Sequence, residues 1–121
     1  MNCLYKLENS YAFNGNTTAF VEIEDGINEY GLAVGLTFIY PTITKAGFNS
    51  GMLVRYLLEK CKTTNEAIEK LKTLPIASQQ TLTIADSIGN IVIAECNAEN
   101  IEIIKPNKDE NFVTTTNEFN S

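Results

Sequence analysis

The chain contains no histidine and no tryptophan. Without histidine it lacks the commonest general base and the commonest protein metal ligand. A serine triad or a Cys–His dyad built within these residues is therefore excluded. Cysteine is scarce: Cys3, Cys61 and Cys96 stand far apart, and no Cys-x-x-Cys pair exists. That spacing does not suit zinc. An odd number of thiols, with Glu8 and many polar groups in the opening residues instead of a secretory leader, fits reduced cysteines and a cytoplasmic location. No apolar run approaches the roughly 20 residues of a membrane-spanning helix. Basic residues are also few, 9 Lys and Arg against 15 Asp and Glu, giving a net charge of −6. With a pI near 4.6, the chain is expected to bind neither nucleic acid nor membrane, since both need a basic patch.

What is present suits one folded unit. The 121 residues are 44% hydrophobic, enough to fill a core. There is no internal repeat and no low-complexity tract. Residues 17–24 alternate apolar and polar as a half-buried strand does. Asp25-Gly26 reads as a hairpin signal, with the turn extending to about Tyr30. Residues 31–40 are almost wholly apolar, which predicts a strand covered on both faces. Gly35 inside it predicts a bulge or the close approach of another backbone or a ligand.

Residues 41–50 read as a loop. Ser50 is placed to cap a helix over about 51–61, with Leu53, Leu57, Leu58 and Cys61 on its buried face. A second helix is predicted over about 64–73. Thr63 and Glu66 have capping-box spacing, Ala67, Ile68, Leu71 and Leu74 form its stripe, and Pro75 ends it. Strands follow at about 81–85, 91–95, 101–105 and 111–116, with Gly89 suited to the left-handed position of the first turn between them. Two adjacent helices between groups of antiparallel strands imply an α+β layered fold.

Several segments carry a resemblance. They are Gly15-Asn16-Thr17, the run from Gly26 through Asn28-Glu29-Tyr30-Gly31 to Leu36, Asn49 to Glu59, Pro75-Ile76-Ala77-Ser78, Ala85-Asp86 with Gly89, Glu95-Cys96-Asn97, and Thr115-Thr116-Asn117-Glu118-Phe119. In this order and spacing the chain resembles the penicillin acyltransferase-like and choloylglycine hydrolase group of N-terminal nucleophile amidases. The resemblance implies part of a four-layer αββα sandwich. It also implies a thiolate attacking an amide carbonyl, with the cysteine's own α-amino group as base, a thioester intermediate and no cofactor. The substrate would be a small amide or acyl compound.

Carried over residue by residue, Asn117 becomes an oxyanion donor and Thr37 a pocket residue whose hydroxyl can donate. Without the resemblance, Asn117 is a turn asparagine and Thr37 an ordinary strand residue. Asn28 reads first as the residue that closes its turn, and second as a ligand contact. Glu29 and Asp25 read as solvated turn charges, and Arg55 as an exposed helical arginine. Cys61 and Cys96 sit in apolar patterns and read as core residues.

Cys3 does not suit the nucleophile. Removing Met1 exposes Asn2, the neighbouring residue is not small, and the distance to the Asn28 motif is too short for the intervening strands. The chain is therefore expected to be a single partial domain, residues 1–121, that lacks the family's nucleophile and is inactive alone. The alternative is a shortened, non-catalytic relative acting as a binding or structural subunit. Open sheet surfaces predict a homo-oligomer or a complementary chain.

Overall fold

The computed structural model describes residues 1–17, 22–38, 46–77, 79–97 and 100–106. Strands β1 (Asn2–Tyr5), β2 (Phe13–Asn16), β3 (Asp25–Asn28) and β4 (Ala33–Phe38) come first. Helices α1 (Ser50–Lys60) and α2 (Thr64–Thr73) follow, then β5 (Gln80–Ala85), β6 (Ile91–Cys96) and β7 (Ile101–Ile104). The strands form one antiparallel sheet whose spatial order is the order of the sequence. The architecture is α+β, as expected.

Alternation along the strands creates two unlike faces. Val34 lies opposite Ile84, and Ile84 opposite Val92; Leu36, Leu82 and Ala94 form the next row. These side chains point toward the helices, and all but Leu36 are fully buried. Helix α1 packs on β3 and β4, and α2 on β5, β6 and β7. Leu53, Val54, Leu57 and Leu58 of α1 and Ala67 and Leu71 of α2 have no exposed surface. Burying a leucine of this kind contributes about 1.5–3 kcal/mol.

Both helices start at polar caps. Asn49, not Ser50, caps α1, its side chain accepting from the Met52 N–H at 2.9 Å. Thr63 caps α2: its hydroxyl accepts from the Glu66 N–H and donates to the Glu66 carboxylate, each bond 3.3 Å long.

Of the strand expected over 17–24, Thr17 and residues 22–24 lie outside the ladder, and residues 18–21 fall outside the described residues. Asp25-Gly26 is not the turn but the start of β3, paired with Asn16 and Gly15. Gly26 is there because of close approach. A Cβ on it would lie 2.6 Å from the Asn14 carbonyl and 2.9 Å from Leu58 Cδ1. Gly35 makes no bulge and no close backbone contact among the described residues. Its pairing with Asp25 and Thr83 is regular, and a Cβ there would meet only Asp25 Cβ, at 4.0 Å. The strand expected over 111–116 lies outside the described residues.

Candidate functional site on the open sheet face

The turn between β3 and β4 is built around one side chain. Asn28 Oδ1 accepts from the backbone N–H groups of Tyr30 and Leu32, both at 3.0 Å. Its Nδ2 donates to the carbonyls of Leu58 at 3.0 Å and Cys61 at 2.6 Å, at the end of α1. These four bonds use the amide's full donor capacity and both oxygen lone pairs. Gly31, with φ +86°, completes the turn. Asn28 is 6% exposed, and it fixes how α1 seats against β3 and β4.

That seating leaves the opposite face of the sheet to do something else. Asn14 and Asn16 of β2, Asp25 of β3, Gly35 of β4, and Thr83 and Ala85 of β5 line a recess of about 430 Å³ there. This volume falls within the range of small-molecule sites. One row crosses it: Asn16, Asp25, Gly35 and Thr83 are successive cross-strand partners. Asn16 Nδ2 donates to Asp25 Oδ1 at 2.7 Å. Gly35 contributes no side chain, so the hollow opens beside the Asp25 carboxylate.

Thr37 stands two residues beyond Gly35 on the same face, half-buried. It pairs with Thr81, which pairs with Glu95. Thr81 and Glu95 are buried although they face away from the helices. The Thr81 hydroxyl has no hydrogen-bond partner among the described residues. Thr37 thus continues the recess into a short polar row. Asn117 lies outside the described residues.

Other sequence candidates resolve into structural roles. Asp25 is in a strand, and Glu29 Oε1 accepts from the Ala12 N–H at 2.9 Å, so neither is merely a solvated turn charge. Arg55 is not an exposed arginine. Its side chain is 17% exposed, pairs with Glu59 at 3.1 Å and lies 5.3 Å from the centre of the Tyr5 ring. Cys61 and Cys96 are core residues with no exposed surface. Burial, then Glu66, pushes the Cys61 thiol up to about 11; burial, then Glu95, pushes Cys96 up to about 12. Both are protonated and poor nucleophiles at neutral pH. Among the described residues, no group of three or more His, Cys, Asp or Glu is placed to hold a metal ion, and no helix is long and apolar enough to cross a membrane.

The sequence did not reveal Thr81 or the Asn16–Asp25 pair. A signal existed in the i, i+2 spacing of small or polar residues: Asn14 and Asn16; Ala33, Gly35 and Thr37; Thr81, Thr83 and Ala85. Reading it needs the strand register.

An antiparallel sheet of this order carrying two helices on one face recurs in known structures. Three solved structures share it. Penicillin V acylase from Agrobacterium tumefaciens superposes with a TM-score of 0.68 at 23% identity, over 84% of this chain and 35% of its own. A variant of conjugated bile acid hydrolase from Clostridium perfringens gives 0.69 at 21% identity, over 84% and 37%. A second variant of that hydrolase gives 0.68 at 21%, over 80% and 36%. The chain therefore spans little more than a third of the length of these proteins. No curated protein matches it in sequence. Residues 1–121 match the acyl-coenzyme A:6-aminopenicillanic acid acyl-transferase family throughout, and the chain belongs to that family.

Proposed function

We propose that this chain forms the central sheet-and-helix part of a cysteine-dependent hydrolase or acyltransferase of linear amides, acting through a thioester. The observation that carries the reading is the family match over the whole of residues 1–121. Residues 1–121 are then one partial domain of the αββα sandwich. Thr37 lines the acyl pocket at the end of the recess, and Asn117 donates to the oxyanion. Electrostatic stabilisation of that oxyanion is the largest catalytic contribution expected of any residue here. Asn28 serves the site indirectly, by holding the β3–β4 turn and α1 together.

The nucleophile comes from a segment or chain other than the described elements. Support lies in the thiols: Cys61 and Cys96 are sealed in the core, and Cys3 sits within β1 behind Asn2. The test is the intact mass and amino-terminal sequence of the native protein, before and after incubation with a panel of acyl amides. An acyl adduct on an amino-terminal cysteine, in a polypeptide containing or accompanying this chain, is the expected result. A native species of 13.4 kDa that forms no adduct, alone or in its complexes, overturns the reading in favour of a non-catalytic subunit.

A further inference from the structure

The recess on the open sheet face has one charged group, and its position is set by the fold. Asp25 lies beside Gly35 in the β3–β4 register, and Gly35 offers no side chain to cover it. Asn16 occupies Oδ1 of that carboxylate from the other side and holds it over the hollow. Around it the lining is uncharged: Ala33, Gly35, Thr83 and Ala85. An ion entering this space meets a fixed negative charge with no cation among the lining residues. The chain's net charge of −6 adds to the same field.

We propose that the recess selects for amides whose amine-derived part is cationic, with Asp25 as the residue that determines specificity. The inference rests on the reading of this face as the amide site. In it, the carbonyl lies toward Thr37, and the ammonium-bearing arm lies against Asp25. An amide whose amine-derived part carries a carboxylate or sulfonate places like charges together in the hollow and is disfavoured. At about 4 Å in a water-like medium, one such charge pair amounts to several-fold in affinity, and salt weakens it.

The test uses the 121-residue chain and three probes titrated by NMR: two that share one acyl group, N-(2-aminoethyl)phenylacetamide and phenylacetylglycine, and propylammonium. Expected is about a three- to tenfold preference for the cationic amide, with shifts at Gly35 and Thr83, shrinking as salt is raised. Asp25→Asn removes the preference. Glu69→Gln, an equal loss of charge on an exposed residue of α2, leaves it in place. Gly35→Val fills the hollow and weakens both amides. Equal binding of the two amides, or a preference that survives Asp25→Asn, overturns the specificity and leaves the amide reading standing. Propylammonium binding at the recess without either amide binding overturns the amide reading and with it this proposal. Binding of none of the three overturns the recess as a site.

Discussion

The Asp86 carboxylate accepts a hydrogen bond from the Thr64 backbone N–H at 2.9 Å, tying the β5–β6 turn to the first turn of α2. Its other oxygen accepts from the N–H groups of Ile88 and Asn90, both at 3.1 Å. One aspartate thus orders its own turn and offers negative charge to a helix N-terminus, where it is favoured.

A pH dependence follows from this contact. Burial pushes the Asp86 carboxyl up, but hydrogen bonds from Thr64 and Asn90 outweigh it and hold the group below its ordinary range. A lowered folded value means the stabilisation is complete above the unfolded value of about 3.9 and is lost as pH falls through the folded one. Asp86→Asn is expected to cost about 1–2 kcal/mol at neutral pH. Thermal unfolding of both proteins from pH 7 to pH 2 checks it, and the gap between them closes at the acid end.

Asn28→Ala removes four hydrogen bonds at once and strands the carbonyls of Leu58 and Cys61 at the buried C-terminal end of α1. The expected loss is about 3 kcal/mol. Asn28→Asp does no better, because a carboxylate cannot donate to Leu58 and Cys61. Urea unfolding gives the number, and equal stability of wild type and Asn28→Asp contradicts the assignment.

Gly26→Ala places a methyl 2.6 Å from a backbone carbonyl and 2.9 Å from Leu58. Overpacking of this kind costs about 1–3 kcal/mol. Gly35→Ala, in open space on a neighbouring strand, is expected to leave stability within about 0.5 kcal/mol. A denaturation series on the two variants separates close approach from ordinary strand propensity.

The thiols should divide by burial. A thiol reagent at pH 7 reaches half-buried Cys3 in the native protein, while Cys61 and Cys96 react only after unfolding. Their raised values make the buried neutral forms a source of stability below about pH 8.5, lost as pH rises toward 11 and 12. Rapid native labelling of all three contradicts this.

Gln80 is 1% exposed on the helix-facing side, and neither polar atom of its amide has a partner among the described residues. Gln80→Leu removes both and is expected to stabilise the chain by about 1–2 kcal/mol. A lower melting temperature for the variant contradicts the observed geometry.

The helices were legible because their signals are local. Thr63, Glu66 and Pro75 mark the boundaries of α2, and the leucine spacing of α1 needs no partner to be read. The strands β5, β6 and β7 announced themselves by β-branched residues. By contrast β2, Phe13-Asn14-Gly15-Asn16, has the composition of a turn. It is a strand because Gly15 and Gly26 let two backbones meet beneath Ile23 and Leu58. The same packing turned Asp25-Gly26 from a hairpin signal into a ladder. Thr37 was reached only through resemblance, while its partner Thr81 needed the register. Long-range pairing decided each of these, and one sequence does not display it.

The sheet is wound in sequence order, and that has a kinetic meaning. Five of its six strand pairings join neighbours across connections of 4 to 8 residues, counted between the strand bounds, so they need little loop-closure entropy. The sixth, β4 with β5, must bring together strands separated by both helices. Two hairpin-built halves are then expected to form quickly on their own, with the slow step being their union over α1 and α2. Mutations at the β4–β5 seam would slow folding, whereas those at β1 or β7 would mainly speed unfolding.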